Sequence, residues 1–491
     1  MGGNLHPFLH WGATGPPGDG GSTEAAAQRP RIRRRRQTHR LGQPVLPAPA
    51  PAPVSRSSPS PRSFVDTTAT MRATTALIAA LSAAGAVSAL PADDSSKLIL
   101  HPLQPGKPAE PTKPTKPTKP GKDASVNPFE GKVHYVNPVW ADKLDQTYKA
   151  FIKQKDWANA KRVRKVQAVS TFVWVSRLSE LANIDAAIAT ARREQRLTGK
   201  KQIVGLVLYN LPDRDCSAGE SAGELDSTQN GLQRYKDEFL APYVAKVSAA
   251  PDLEFAIVLE PDSLGNLVTN MAVPLCARAA PIYTEGIAMA IAALQQDNVH
   301  LYIDAAHGGW LGWADNLPLA AAEFGKAVNR AKEISGSNST TIRGFSTNVS
   351  NYNPFSAAVR ENYTEWSPSW DESHYATSLA PFLEAEGLPA RFIIDQGRVH
   401  KPNAREEWGE WCNVSPAGFG QVPTTKTDNP YVDSLVWIKP GGESDGQCGF
   451  EGAPRAGAWH DEYAQHLTKN ADPSVDKVKI SIWDIILGWL F

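Results

Sequence analysis

The sequence predicts an α/β fold: a distorted TIM-like barrel of about seven parallel strands, with its active site at the C-terminal strand ends. Three observations lead there. From Asn127 onward, short apolar β-favouring runs alternate with helical stretches. Two of those runs stop directly at carboxylates, in Tyr209-Asn-Leu-Pro-Asp-Arg-Asp-Cys216 and in Leu259-Glu-Pro-Asp-Ser263. No Gly-rich phosphate fingerprint follows any run, which counts against the other architecture that alternation allows, a flat doubly wound sheet.

The strands are expected in this order. Residues 168–175 carry Val169, Phe172, Val173 and Val175, and 203–209 read Ile-Val-Gly-Leu-Val-Leu-Tyr. Residues 255–259 are Phe-Ala-Ile-Val-Leu, and 299–304 are Val-His-Leu-Tyr-Ile-Asp. Shorter runs follow at 342–347, 392–395 and 435–439. Helices are expected between them at 184–195, 231–248, 279–296, 319–334 and 375–386. Such spacing gives βα units and hence a parallel sheet.

Outside this region the chain reads differently. Residues 1–89 hold ten Arg, no Lys and three acids, so a net +7 there is balanced by −7 in the rest. The basic run Arg31 to Arg36 has the form of a nucleic-acid or nuclear signal, but nothing else in the chain supports one. Residues 71–89 have the pattern of a secretory signal: Arg72, an apolar stretch at 76–86, and Val87-Ser88-Ala89 as a small-residue cleavage site. On that reading translation starts at Met71, and residues 1–70 are an upstream extension. Residues 90–126 form a linker whose Pro-Thr-Lys repeats favour an extended chain. The tail, residues 476–491, is apolar but too short to span a membrane.

Four cysteines fit a secreted protein with two disulfides. Three pairings are open. We expect Cys216 with Cys276 and Cys412 with Cys448, because each bridge would staple a long loop near a candidate site. No CxxC or HxxxH spacing suggests zinc. The sequons at Asn338, Asn362 and Asn413 are expected to carry glycans, whereas Asn348-Val-Ser350 is expected to be buried and unmodified.

Nearly every expected strand ends in polar residues or Trp. These are Trp174; Tyr209, Asp213 and Asp215; Asp262; Asp304, His307 and Trp310; Asn348 and Asn351; Asp395 and Arg398; and Lys439, Glu443 and Asp445. One Asp at a strand end is commonly a helix cap, but capping needs no polar residue after almost every strand. Paired carboxylates at one edge suit acid catalysis on a glycosidic bond. The fourteen Trp add a substrate class, since sugar C–H faces stack on indole. In Gly308-Gly-Trp-Leu-Gly-Trp313 the glycines suggest exposed platforms, whereas Trp437, inside a strand, is expected to be core. Gly219-Glu-Ser-Ala-Gly223 matches a serine-hydrolase elbow, but that motif needs a strand running straight into the serine. We read it as a flexible substrate loop.

Together these motifs resemble glycoside hydrolase family six, the fungal cellobiohydrolase II and endoglucanase group, from about Asn127 to about Pro473. Trp408-Gly-Glu-Trp-Cys412 and Trp437-Ile-Lys-Pro-Gly-Gly-Glu-Ser-Asp445 match in order with those above. The resemblance implies inverting cleavage of β-1,4-glucan without metal or cofactor. It implies Asp262 as general acid, and Asp215 as the carboxylate that keeps the acid protonated. It also implies Tyr209 crowding the sugar at the cleavage point, Asp445 as the proposed base, and Ser221 helping to hold the water. Trp174, Trp310, Trp313 and Trp411 resemble sugar platforms, and His307, Asn348, Lys439 and Glu443 resemble sugar-binding positions. Asp304 joins that substrate-binding set from its place at a strand end.

Two departures stand out. Ala306 replaces the Gly usual in cellobiohydrolases, so the local backbone is expected to differ. The segment between Asp445 and Trp459 is short where cellobiohydrolases carry a roof-forming insertion. An open cleft and internal chain cutting are therefore expected, with end-directed cellobiose release and non-catalytic carbohydrate binding as alternatives. The expected partner is cellulose or another β-1,4-glucan, with no nucleic acid or membrane, and the protein is expected to be monomeric and extracellular.

Overall fold

The computed structural model of the protein describes residues 126–480. The expected extension, signal, Pro-Thr-Lys repeats and the tail beyond residue 480 lie outside the described residues.

The strands are β1 (Val133–His134), β2 (Val173–Val175), β3 (Gln202–Leu208), β4 (Glu254–Leu259), β5 (Val299–Asp304), β6 (Gly344–Thr347), β7 (Phe392–Asp395) and β8 (Val432–Val436). Every pairing is parallel, and β3 to β8 follow one another in chain order. Both β1 and β2 pair with β3: β1 sits beside Gln202 and Ile203, β2 beside Leu206 to Leu208. They fill one strand position in two halves. That explains why β2 starts at Val173 and not at 168, as β1 already holds the lower half of the same edge. The sheet curls until its ends meet, and the Phe172 N–H donates to the Trp437 carbonyl at 3.0 Å across the seam. This is the distorted, TIM-like parallel barrel the sequence predicts.

Alternation along the strands divides the core. Val204, Leu206, Leu208, Phe255, Ile257, Leu259, Leu301 and Ile303 face the outer helices. Ile203, Val207, Tyr209, Ala256, Val258, Tyr302, Ile393 and Val436 fill the interior with Phe129 and Phe172. Gly205 makes room for this filling, because a Cβ there would stand 2.5 Å from the Phe172 ring.

Helices α1 (Pro138–Lys153) and α2 (Trp157–Val166) precede β2, and α3 (Ala182–Thr198) joins β2 to β3. The expected helix at 231–248 is α4 (Gly231–Arg234), a π-helical turn at Tyr235–Leu240, and α5 (Ala241–Ser248). Then come α6 (Ser263–Thr269), α7 (Pro274–Ala293), α8 (Gly308–Leu311), α9 (Asn316–Ser335), α10 (Glu372–Ala385) and α11 (Asp461–Lys469). The sequence reading omits α1, α2, α6, α8 and α11. A separate cluster forms where Trp140 of α1 and Tyr463 of α11 pack with Phe419 and Trp437. Trp437 is fully buried there, as expected for a core residue. β8 begins earlier than expected because buried Asp433 belongs to it; Arg343 donates to Asp433 at 2.7 Å, and the ion pair admits a charge into the strand.

Candidate active site

The strand exits turn sharply. Asp213 and Asp215 after β3, Glu260 and Asp262 after β4, Ala306 after β5, and Asn348 and Ser350 after β6 all have left-handed backbone, with φ between 46° and 67°. Non-glycine residues adopt this at a cost of about 1–2 kcal/mol each, so the surrounding bonds must hold them. Glu260 does so for the β3 exit: its carboxylate accepts from the Asn210 and Leu211 N–H groups and from the Tyr235 hydroxyl. The π-turn places Tyr235 for that bond, a common use of such bulges. Ala306 takes a left-handed turn at φ 54°.

Asp262 sits half-buried at the start of α6, its carbonyl accepting from the Asn266 N–H at 3.0 Å. Its carboxyl pKa is pushed well up by burial, by Asp304 and by Asp215. Asp304 lies beneath it, and the structure corrects its assignment as a sugar-binding group. It is 3% exposed, and its carboxylate accepts from the Asp262 N–H at 3.0 Å, the Ala306 N–H at 3.1 Å and the Ser346 hydroxyl at 3.4 Å. With those oxygens occupied it supports Asp262 from behind.

Asp215 is half-exposed on the β3 side. Its Oδ2 accepts from the Ser221 N–H at 2.7 Å and the Ser221 hydroxyl at 3.1 Å, and Ser221 Oγ lies 2.8 Å from the Tyr209 hydroxyl. The chain Tyr209–Ser221–Asp215 thus ties the end of β3 to the loop that follows it. Arg214 holds this loop by donating to the Ser221 carbonyl at 2.9 Å and to the Ser176 carbonyl at 2.6 Å. No histidine among the described residues bonds Ser221, and β3 ends at Leu208, so the serine-hydrolase elbow is not formed.

Asp445 is buried, and its Oδ2 accepts from Arg398 at 2.6 Å, the Tyr352 hydroxyl at 3.0 Å and the Asn413 N–H at 3.0 Å. Its Oδ1 has no hydrogen-bond partner, although the Lys439 ammonium is 3.4 Å away. Burial alone would raise its pKa, but Arg398 and Lys439 outweigh that and hold it below the ordinary carboxylate range. Asn413 also accepts from the Asp445 N–H, and its Nδ2 donates to the Gly446 and Cys448 carbonyls. Fully buried and so engaged, Asn413 cannot carry the glycan its sequon suggests. Asn338 and Asn362 are exposed, whereas Asn348 is fully buried.

The expected sugar-binding groups divide. Trp174 is half-buried, donates to the Ile438 carbonyl at 2.9 Å and meets Tyr209 edge-on at 5.5 Å. Trp310 and Trp313, also half-buried, are fixed by bonds to Thr269 and to the Gly309 carbonyl. The glycines beside them provide close packing and not exposure: a Cβ at Gly309 would stand 2.0 Å from Trp408. Trp411 is half-buried beside Cys412, and Glu443 accepts from Lys143 at 2.6 Å. His307 accepts from Asn353 on Nδ1, leaving Nε2 as the donor, and burial followed by Arg405 lowers its pKa to about 3. Asn348 is the second correction. It is fully buried, and its side chain is consumed by the Asn353 and Asp395 carbonyls and the Asn353 N–H, so it braces the β6 exit.

The disulfides are Cys216–Cys276 and Cys412–Cys448. No group of three His, Cys, Asp or Glu among the described residues is arranged to hold a metal.

A parallel barrel whose strand ends gather separate carboxylates among half-buried tryptophans defines a glycoside hydrolase. Comparison with known proteins makes this specific. The model for glycosyl hydrolases family 6 matches residues 129–471. The chain is 64% identical over 436 residues to 1,4-beta-D-glucan cellobiohydrolase CEL6B of Podospora anserina, covering 89% of this chain and 97% of that one. It is 53% identical to Endoglucanase-6B of Humicola insolens, over 72% of this chain and 99% of the relative. The solved endoglucanase CEL6B from Humicola insolens has a TM-score of 0.69 and is covered over its whole length, against 72% of this chain, at 53% identity. CcCel6C from Coprinopsis cinerea has a TM-score of 0.69 at 46% identity, covering 71% of this chain and 99% of that one. The chain belongs to glycosyl hydrolase family 6.

Proposed function

We propose that the protein is a secreted, inverting β-1,4-glucanase that cuts within cellulose chains. The observation that carries the reading is Asp262, a partly buried carboxyl at the start of α6 whose N–H is held by the Asp304 carboxylate at 3.0 Å and whose pKa is pushed up by burial, by Asp304 and by Asp215. A neutral carboxyl in a cleft suits proton donation to a leaving glycosidic oxygen. As the bond breaks, positive charge develops at the anomeric carbon, and the Asp215 carboxylate would stabilise it. A water on the opposite face attacks. Ser221 and Asp215 would order that water, and Asp445 is the candidate to receive its proton through a water chain, its buried Oδ1 standing 3.4 Å from the Lys439 ammonium. Tyr209 and Trp174 would hold the sugar ring at the cleavage point, while Lys439, Glu443, His307, Trp310, Trp313 and Trp411 would bind neighbouring units.

Asp262→Ala should abolish nearly all hydrolysis of soluble cellulose derivatives with the melting temperature little changed. Near-normal turnover would sink the assignment. Proton NMR of the first product should show the α anomer, and a β anomer would rule out inversion. The short segment from Asp445 to Trp459 supports internal cutting. End-directed cellobiose release is the second reading, supported by the name of the Podospora relative. Rapid loss of carboxymethyl-cellulose viscosity per reducing end favours the first, and cellobiose as almost the sole early product favours the second. Secretion is supported by the two disulfides and by the signal-like pattern at residues 71–89.

A further inference from the structure

His307, after β5, meets a buried polar cluster whose hydrogen bonds can run in one direction only. Its neighbour there is Asn353, after β6, which is 1% exposed. The Asn353 backbone is pinned on both sides. Its N–H donates to Asn348 Oδ1 at 3.0 Å, and its carbonyl accepts from Asn348 Nδ2 at 2.9 Å and from Gln396 at 3.1 Å. Only the side-chain amide has a choice of orientation, and Arg405 makes it. A guanidinium has donors and no acceptor. Arg405 Nη2 donates to Asn353 Oδ1, and Nη1 donates to Asn351 Oδ1 at 2.9 Å. Arg405 is itself buried, packed over the Tyr363 and Trp408 rings. The Asn353 Nδ2 must then face the other way, where it donates to Glu372 Oε1 at 2.7 Å and meets His307 Nδ1 at 3.2 Å. Glu372 Oε1 also accepts from the Gly308 N–H at 2.9 Å. His307 Nδ1 therefore accepts, and the ring proton sits on Nε2.

We propose that Arg405 is a positioning residue that, acting through Asn353, makes His307 a fixed hydrogen-bond donor to an acceptor oxygen of the bound glucan. The proposal rests on the glucanase reading above, in which His307 binds a sugar unit. A sugar hydroxyl both donates and accepts. A histidine of undefined tautomer could therefore hold it in two ways. A histidine fixed as donor accepts only the sugar orientation that turns an oxygen lone pair toward Nε2. The relay thus selects how the glucose unit sits and does not merely add attraction. Asn353 and Arg405 touch no sugar in this scheme; they act on the substrate only through the imidazole.

The test is Asn353→Asp in the full-length enzyme. It keeps the side chain's shape and the Arg405 contact but puts an acceptor where the donor faces His307. With 15N-labelled histidine, the His307 ring is identified by the signals lost in His307→Phe. In the wild type it should carry its proton on Nε2, and in Asn353→Asp it should carry one on Nδ1. KM for cellotetraose should rise about three- to ten-fold in Asn353→Asp, with kcat held within about two-fold. Adding Asn353→Asp to His307→Phe should raise KM no further, because the two changes break one contact. Arg405→Met frees the amide and should raise KM in the same direction, whereas Arg405→Lys keeps a donor and should restore most of it. A wild-type His307 protonated on Nδ1 overturns the relay without any variant. An unchanged KM in Asn353→Asp overturns the contact with the sugar. So does an equal KM rise when Asn353→Asp is made in the His307→Phe background, since Asn353 would then serve only to hold its loop. A wild type inactive on cellotetraose sinks the glucanase reading, while the nitrogen spectra still decide whether Asn353 sets the tautomer.

Discussion

Asp262 and Asp445, at the ends of two different strands, are pushed in opposite directions. Burial, Asp304 and Asp215 raise the first; Arg398 and Lys439 lower the second against the opposing effect of burial. A bell-shaped dependence of kcat/KM on pH follows, with the acid limb set by protonation of Asp445 and the alkaline limb by ionisation of Asp262. Asp304→Asn removes a like charge and should move the alkaline limb to lower pH, which a pH–rate profile checks. An unmoved limb would separate Asp304 from the acid. Arg398→Leu leaves the Asp445 charge buried without its partner and should cost about 3–5 kcal/mol in denaturant unfolding. Replacing both, with Asp445→Leu added, should recover most of the stability and none of the activity. Much of this was legible from residue types, because carboxylates directly after apolar runs betray strand ends. The corrections at Asp304 and Asn348 concern burial. Sequence places both at the rim, but whether a rim side chain points into the cleft or under its neighbour depends on left-handed turns that no local pattern announces.

Among the elements, the loops bearing Asp215 and Asp445 depend most on covalent support. The bridges span sequence separations of 60 and 36 residues. In the chain-entropy model each is worth about 4 kcal/mol. Cys412→Ser with Cys448→Ser should therefore lower the unfolding free energy by about 2–5 kcal/mol. Activity should fall more than for an equally destabilised variant remote from the cleft, since Asn413 next to the bridge positions Asp445. The stretches 203–208 of β3 and 255–259 of β4 were the most readable, as uninterrupted apolar runs buried on both faces. β1 was missed because two residues carry no periodic signal. β8 was shifted because paired Asp433 looks like a breaker until Arg343 is brought to it from β6's approach. Helices α1 and α11 were omitted although Asn137 caps α1 in the usual way, its side chain accepting from the Val139 N–H; both lie outside the regular βα alternation, in the added layer around Trp437.

For the molecule as a whole, the buried carboxyls make folding favour acid. Glu260 and Glu372 are raised from the ordinary 4.5 to about 7, burial outweighing the bonds they accept. Between those values the folded chain holds protons that the unfolded chain has released. Their stabilisation is therefore complete below pH 4.5 and is lost as the pH rises through about 7. The melting temperature should be higher at pH 5 than at pH 8, and a flat profile would mean that both groups stay ionised in the fold. The barrel was predictable because alternation of elements fixes a parallel sheet. Its split strand position and its seam at Phe172 were not, since these follow from how far the sheet curls.

The left-handed corners at the strand exits have a further consequence, for anyone reading a saturation-mutagenesis map of this protein. Intolerance at such a position has two sources, chemistry and handedness, and they leave different fingerprints. At Ser350, where the backbone turn is the main demand, glycine, aspartate and asparagine should score well, and valine and isoleucine should fail. At Asp262 asparagine satisfies the turn and should still fail. A site's rejection of asparagine, and not its overall sensitivity, is therefore the measure that marks a reacting carboxylate.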